Sequence, residues 1–291
     1  MSVPREGNCA MARKNSGSVG VAQPRWWAYT VLGVGLVAVV GPFLWMLSSS
    51  LKPEGEIRRV PPSFWPDAFT FDNFARLFGD IDFARFLTNS LVVAISVTIG
   101  NLLFCSMAGY ALAKIDFAGR RTLFTIVLIA MVIPGMVLLV PMFMVTVALG
   151  LTDTYLGLIL PFVVTPLGVF LMRQFIGELP DELFDAARID GASEIRLFRS
   201  LVLPLTKPAL ATLGILTFLA SWNNFLWPLV VASSEKMYTA PVALALYSVG
   251  QNTTSYGLLL AGAVVVVVPV IVIFLIFQRQ IIQGVATTGL K

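Results

Sequence analysis

Histidine is absent from this chain of 291 residues, and charged residues make up only 12% of it. The chain therefore lacks a serine–histidine pair, an imidazole metal ligand and the side chain that most often exchanges protons near neutral pH. None of its lysines follows a glycine, so a glycine-rich loop that would hold the phosphates of ATP is also missing. We expect no catalytic residue, no metal site and no cofactor, and an enzyme is disfavoured.

Cysteine is nearly absent as well. The two cysteines are Cys9, in a polar N-terminal segment, and Cys105, in a long apolar run. Thiols in such different surroundings are not expected to form a disulfide bond. Met11 opens a shorter plausible reading frame, so the sequence leaves the true start open between Met1 and Met11.

Long apolar runs are abundant, since 57% of the residues are hydrophobic. A helix needs about 20 apolar residues to cross the hydrocarbon core of a bilayer. Runs of about that length cover residues 26–51, 87–113, 123–147, 155–172, 209–232 and 256–277. The sequence therefore predicts an all-α membrane protein with six transmembrane helices.

Acidic and basic residues are missing from the middle of all six runs. Carriers driven by protons or ions usually need such groups near the membrane midplane as relays or ion ligands. A self-contained secondary carrier is therefore disfavoured. If the chain moves a solute uphill, we expect the energy to come from a separate protein.

The distribution of lysine and arginine predicts the orientation of the helices. With the N-terminus inside, fourteen of the 20 basic residues fall in inner segments and six in outer ones, so both termini are expected in the cytoplasm. This rule and anionic lipid account for the positive charge without a nucleic-acid partner. The predicted parts are a cytoplasmic tail (1–25), a first transmembrane helix (26–51), an external loop (52–86), a five-helix core (87–279) containing a cytoplasmic loop (173–208), and a C-terminal cytoplasmic tail (280–291). We expect the first helix and the external loop to pack outside the core.

The one long inner loop, residues 173–208, has the pattern of two short amphipathic helices. Pro180 suits a helix start, and Gly191 is expected to end the first helix in a left-handed conformation. Ser193 is expected to cap the second helix, which Pro204 and Pro208 would close. A helix pair lying on the membrane surface is one interpretation. Because the loop carries six acidic against five basic residues, a protein partner is favoured.

Three short motifs in this loop carry a family resemblance. They are Asp185-Ala186-Ala187, Asp190-Gly191-Ala192 and Leu203-Pro204. This pattern resembles the cytoplasmic signature of permease subunits of binding-protein-dependent ATP-binding-cassette (ABC) importers, except that Asp185 stands where the family has Glu. The resemblance implies a type I ABC importer permease fold. It also implies that the loop docks on an ATPase subunit, with Asp185, Ala186, Ala187, Asp190, Gly191 and Pro204 as coupling residues.

Further motifs are similar to the maltose-type branch of that family, which takes up carbohydrates. They are Gly150-Leu151, Thr154-Tyr155, the segment from Trp222 to Pro228, and Gln278-Arg279-Gln280 with Gly284. The resemblance runs from about Asn89 to Lys291, and it is strongest to the second, shorter permease of the heterodimer. It implies a second, non-identical permease, a dimer of cytoplasmic ATP-binding subunits, an extracytoplasmic solute-binding protein, and a bacterial or archaeal inner membrane.

The segment containing Trp222, Asn223, Asn224 and Trp227 has two interpretations. Aromatic faces stack on sugars and amides bind hydroxyl groups, so these side chains are candidates for the lining of a translocation path. Tryptophan is also common at membrane interfaces and asparagine commonly joins transmembrane helices, so a structural role is equally open.

The functional hypothesis is a permease subunit of an ABC importer for a sugar, with the identity of the sugar left open. The alternatives are the same machine for a glycerol phosphate ester, an amino sugar or a peptide, and a secondary carrier. The outer segment 233–255 is expected to contact the binding protein.

Overall fold

The computed structural model describes residues 26–248 and 255–288, and within these ranges every regular element is a helix. In chain order the α-helices are α1 (Trp26–Ser50), α2 (Glu54–Ile57), α3 (Asp72–Gly79), α4 (Phe83–Gly100), α5 (Ser106–Lys114), α6 (Arg120–Val132), α7 (Leu139–Ala148), α8 (Tyr155–Ile159), α9 (Pro166–Gly177), α10 (Asp181–Ile189), α11 (Glu194–Leu197), α12 (Leu203–Leu205), α13 (Lys207–Trp222), α14 (Leu226–Val231), α15 (Ala240–Ser248) and α16 (Tyr256–Thr288). The prediction of an all-α chain is confirmed for the described residues.

The chain divides into two compact units, one ending at Leu44 and the other beginning at Trp45. The described part of the first unit is a single apolar helix, which is most of α1. Its side chains between Trp26 and Leu44 are largely exposed. Such a helix has the length and composition of a membrane span.

Three uninterrupted helical segments are long and apolar enough to cross a membrane: Trp26–Ser50, Phe83–Lys114 and Tyr256–Phe277. Two bent pairs pass the same test, Tyr155–Phe162 with Pro166–Gly177 at 43° and Glu194–Leu205 with Lys207–Trp222 at 80°. The described residues therefore contain three to five candidate spans. The expected count of six is not reached by length and composition alone.

The predicted third span, residues 123–147, consists of two helices, α6 and α7. They are separated at Ile133–Leu138, where Pro134 and Gly135 interrupt the run. Proline cannot donate a backbone hydrogen bond and glycine weakens a helix, so this dipeptide breaks the helix inside the apolar stretch. The apolar run 123–147 is therefore not one continuous helix, although its length predicted one.

Close helix packing forms the centre of the second unit. Gly109 on α5 faces α9, and a Cβ atom there would lie 2.7 Å from Cβ of Met172. Gly168 on α9 faces Cys105 in the same way, at 2.7 Å from its Sγ atom. Small residues at such points let helix backbones approach each other, which is the usual way to pack helices in lipid.

A π-helical turn, Asn101–Cys105, joins α4 to α5, and its first residue bonds to the break before α9. The buried Nδ2 of Asn101 donates to the Phe162 carbonyl at 2.5 Å, and its Oδ1 accepts from Oγ1 of Thr165 at 2.7 Å. Thr165 in turn caps α9 at the Gly168 N–H. The Phe162 carbonyl and the Gly168 N–H, on either side of the 43° bend, are therefore paired inside the protein, as a low-dielectric surrounding requires.

The external loop packs against residues of the predicted core. Leu77 on α3 is buried in a cluster with Ala243 and Leu258. Glu54 accepts the backbone N–H groups of Tyr256 at 3.1 Å and Gly257 at 2.9 Å, so it caps the first turn of α16. The predicted loop thus contacts the predicted core through α3, which lies against α16.

Candidate functional site

The two helices of the cytoplasmic signature, α10 and α11, form a hairpin with a defined turn. Gly191 has φ +79°, and its N–H donates to the Arg188 carbonyl at 3.0 Å. The N–H of Ala192 donates to the Ala187 carbonyl at 3.0 Å, which completes a Schellman motif. Ser193 Oγ accepts from the Arg196 N–H and caps α11. The predicted roles of Gly191 and Ser193 in the backbone are confirmed.

The base of the hairpin is fixed to α5, the end of the Phe83–Lys114 span. Phe184 on α10 is only 1% exposed, and its ring stacks on Tyr110 with centroids 6.1 Å apart. Lys114 Nζ lies 5.1 Å from the centre of the Phe184 ring on another side. On α11's side, Phe198 packs against Tyr110 at 6.0 Å. One aromatic cluster thus joins both arms of the hairpin to a helix that is long and apolar enough to cross a membrane.

Charged groups hold the same junction. Lys114 Nζ donates to the Leu179 carbonyl and to Asp181 Oδ1, both at 2.6 Å, and the ammonium group lowers the pKa of the Asp181 carboxyl. Arg188 Nε donates to Glu194 at 3.0 Å, and this bond raises the pKa of Arg188. Glu194 also accepts from the Tyr110 hydroxyl. These bonds link the two arms to each other and to α5.

The tip of the hairpin presents apolar side chains that have no cover in this structure. Ile189 is 87% exposed and Ile195 is 68% exposed, and Leu183 is also exposed. Asp185, Ala186 and Asp190 are exposed beside them. Apolar side chains that are exposed together as a patch, and not singly, are typical of a protein contact surface.

The second arm reaches Pro204 through a π-helical turn. After α11 the chain forms a π-helical turn, Phe198–Val202, and continues as α12, in which Pro204 is a helical residue. A π-turn shifts the hydrogen bonds by one residue, which accommodates the missing N–H of proline without ending the helix. The arm ends at Thr206, and Pro208 lies in the first turn of α13. The second arm therefore ends between Pro204 and Pro208, as expected, and Pro204 itself lies inside its last turn.

The two tryptophans of the Trp222–Trp227 segment are buried. Trp222 is 1% exposed and donates from Nε1 to the Val266 carbonyl at 3.1 Å. Trp227 is 2% exposed and donates to the Gly157 carbonyl at 3.0 Å. Both indole groups therefore pack α13 and α14 against neighbouring helices of this chain.

The two asparagines of this segment lie at the break between α13 and α14 and reach more open surface. Asn223 is exposed and donates to the Leu219 carbonyl at 2.8 Å, whereas Asn224 is half-buried and accepts from the Trp227 N–H. Asn224 also lines a cavity of about 280 Å³. The polar residues that share this cavity are Thr165, Thr217 and Ser221. Sequence reasoning missed these three, because single hydroxyl groups in apolar helices leave no pattern.

The segment that begins at Ser233, predicted to lie on the outer side, is bonded to Asp153 in the second unit. Asp153 accepts the Ser233 and Ser234 N–H groups, each at 2.9 Å, and the Ser234 hydroxyl at 2.7 Å. The hydroxyl bond is the main cause of a lowered pKa of Asp153. Residues 249–254 of the predicted contact segment 233–255 lie outside the described residues. In the described ranges, no group of three or more acidic or cysteine side chains is arranged to hold a metal ion.

Comparison with known proteins identifies relatives over most of the chain. Residues 102–287 match the family described as binding-protein-dependent transport system inner membrane component. The arabinooligosaccharides transport system permease protein AraQ of Bacillus subtilis (strain 168) is 44% identical over 256 residues, which cover 86% of this chain and 90% of the relative. The trehalose transport system permease protein SugB of Mycobacterium tuberculosis (strain CDC 1551 / Oshkosh) is 35% identical, covering 94% and 100%.

A solved structure has the same fold. A chain from a bacterial ABC transporter involved in the import of the acidic polysaccharide alginate superposes with a TM-score of 0.79, at 24% identity and covering 87% of this chain and 95% of that chain. The helical fold shared with this structure is consistent with the family match over residues 102–287. The chain belongs to the family of binding-protein-dependent transport system inner membrane components.

Proposed function

We propose that the chain is a permease subunit of an ABC importer that passes a sugar delivered by an extracytoplasmic binding protein. Relatives named for arabinooligosaccharide and trehalose transport support a carbohydrate substrate. The protein would have no catalytic activity of its own, because ATP hydrolysis belongs to its partners. It would work in a bacterial or archaeal inner membrane beside a second, non-identical permease.

The proposed topology has six spans and both termini in the cytoplasm. The third span would be α6 and α7 together, broken at Ile133–Leu138, and the fifth would be α13 with α14. Residues 26–51 would form the first span, residues 52–86 the external loop, and residues 87–279 the core with its cytoplasmic loop 173–208. Residues 1–25 and 280–291 would be the two cytoplasmic tails.

The hairpin is the proposed joint to the ATPase dimer. The observation that carries this proposal is its two-sided construction: Ile189 and Ile195 are exposed at the tip, whereas Phe184 is buried against Tyr110 of a membrane-crossing helix. A partner that grips the tip would therefore move α5 as well. Gly191 fixes the turn, and Asp185, Ala186, Ala187, Asp190 and Pro204 would belong to the contact surface or its support.

The proposed translocation path includes the break after α13. Asn223 and Asn224 have amide groups that can exchange hydrogen bonds with sugar hydroxyls, and Asn224 lines a cavity containing further hydroxyl side chains. Trp222 and Trp227 would contribute by fixing the wall of this path.

Reconstitution tests the proposal. The purified chain is placed in proteoliposomes with its second permease, the ATPase dimer and the binding protein encoded beside it. We expect ATP-dependent uptake of a sugar that also raises the melting temperature of that binding protein. Omitting the second permease should abolish uptake. Uptake of a glycerol phosphate ester, an amino sugar or a peptide would support the alternative solutes, and uptake by the chain alone under an ion gradient would refute the proposal.

A further inference from the structure

A cavity of about 690 Å³ lies at the end of the Phe83–Lys114 span, next to the loop that leads into α6. Its polar lining consists of Arg120, Arg121, Thr122, Thr125 and Arg173. Cavities of this volume hold ligands the size of a polar head group. Three guanidinium groups at the boundary of a membrane-crossing segment favour an anion.

The guanidinium group of Arg173 on α9 is positioned in the cavity wall by an aromatic ring. Its guanidinium carbon lies 3.8 Å from the centre of the Phe124 ring, and Phe124 stacks in turn on Phe170. Stacking occupies the faces of the guanidinium group and leaves its N–H donors at the edge. Its Nε is buried with no hydrogen-bond partner in the described part of the chain. Because Nε is buried, a ligand in the cavity would reach the terminal nitrogens of Arg173, of which Nη1 makes one long bond, to Oε1 of Gln174 at 3.5 Å.

The charges in the cavity are only partly neutralised by the chain itself. Arg120 pairs with Asp116 at 2.7 Å and donates to the Leu112 and Ala113 carbonyls. Among the described residues, no carboxylate forms an ion pair with Arg121 or Arg173. Two positive charges therefore remain available to an anion.

The surface next to the cavity is apolar. Leu128 and Phe124 belong to the lining, and Leu123, Ile126 and Ile129 on the same helix are 50%, 55% and 58% exposed. In a bilayer this stripe would lie against acyl chains. An anion that carries two acyl chains fits the whole surface, whereas an acidic segment of a protein would leave the stripe uncovered.

We propose that this cavity binds the phosphate head group of an anionic phospholipid, with Arg121 and Arg173 donating to the phosphate and an acyl chain running along α6. The proposal rests on the membrane location that belongs to the proposed function. Free phosphate offers the same oxygens but no acyl chain. The two sources therefore separate in an experiment.

The test measures lipid retention by the full purified chain. The chain is extracted in mild detergent, mixed with equal amounts of phosphatidylglycerol and phosphatidylcholine, and analysed by native mass spectrometry. We expect preferential retention of phosphatidylglycerol. Each basic residue near an anionic head group changes affinity by about five-fold, so Arg121→Gln should weaken binding about five-fold and Arg121→Gln with Arg173→Gln about 30-fold. Arg199→Gln, outside the cavity, is the matched control and should bind as the wild type does.

Three results would overturn the proposal. The first is equal phosphatidylglycerol binding by the wild type and by the exposed single variant Arg121→Gln, which is not expected to affect folding. The second is displacement of the lipid by millimolar inorganic phosphate, which would assign the site to the free ion. The third is unchanged lipid binding together with loss of a partner subunit, which would assign the arginines to a protein contact. Because transport is not measured, failure of the proposed transport function would leave these results unaffected.

Discussion

The turn of the hairpin between α10 and α11 offers the sharpest test of the proposed coupling role. At φ +79°, Gly191 has a backbone conformation that L-residues other than Asn and Asp rarely adopt. A Cβ atom at this position meets no other atom within 4 Å. The effect of Gly191→Val would therefore come from the backbone and not from a collision.

The cost can be placed on a scale. A left-handed residue with a Cβ atom costs about 1–2 kcal/mol, and a β-branched side chain lies at the upper end. This amount changes the ratio of formed to distorted turns by about 5-fold to 30-fold. The aromatic contact between Phe184 and Tyr110 does not involve a turn residue and should still hold α10 on α5. We therefore expect a misplaced tip on an otherwise folded protein.

The assay combines three measurements on one membrane preparation: abundance of the chain, pull-down of the ATPase subunits, and ATP-dependent uptake. Gly191→Val should have normal abundance, with pull-down or uptake reduced about 5-fold or more. Gly191→Asn should be mild, because asparagine tolerates the left-handed region. Gly177→Val is the matched control, since its Cβ also meets open space and its φ is not positive. Wild-type uptake by Gly191→Val would refute the reasoning.

Three other predictions concern single contacts. The pKa of Asp153 is lowered in the folded protein, so its bonds to the segment that begins at Ser233 should be complete above the ordinary carboxyl pKa of about 4 and lost as pH falls through the lowered pKa. Protease cleavage in that segment should rise with acid in the wild type and be high at every pH in Asp153→Asn. Gly257→Ala should lower the melting temperature, because its Cβ would lie 2.3 Å from Oδ1 of Asn73, whose amide donates to two carbonyls at 2.8 Å. If this collision is the cause, Asn73→Ala will lower the melting temperature less in the double variant than it does alone. Trp222→Phe should cost about 1 kcal/mol of stability or more, through the lost indole hydrogen bond and the space left by the smaller ring, and leave the KM for uptake unchanged. Asn224→Ala should change KM and cost no more than about 1 kcal/mol of stability, because its bond to the Trp227 N–H is long at 3.4 Å; a changed KM in Trp222→Phe with an unchanged KM in Asn224→Ala would assign the indole to the translocation path.

The hairpin turn could be predicted because its signal is local. A glycine between two amphipathic segments, followed by a serine, is enough to indicate a left-handed helix end and a new cap. The same local reasoning placed the end of the second helix between Pro204 and Pro208, but it did not indicate the π-turn that begins at Phe198. Pro134 and Gly135 carried a readable signal for the broken third span. A prediction based on the number of apolar residues overlooked this Pro-Gly signal and treated the run as one helix.

Contacts between distant segments could not be read in this way. Lysine is usually a surface residue, yet Lys52 is only 2% exposed. Its Nζ donates to the Ser63 carbonyl and lies 5.1 Å from the centre of the Trp45 ring. Arg173 and Phe124 are far apart in sequence and meet only because α9 packs beside α6. No spacing rule links such pairs, since a tertiary neighbour has no fixed distance along the chain.

The sequence by itself determined that the chain is helical and made for a lipid environment, and it determined the turn of the hairpin. Both signals are local: hydrophobic run length and residues with special backbone preferences act over a few neighbouring positions. The tertiary structure decided which side chains are available. It buried Trp222 and Trp227, left Ile189 and Ile195 exposed, and brought Arg121 and Arg173 to one cavity. Exposure and electrostatic environment are properties of packed helices, and they arise only when segments far apart in the chain come together.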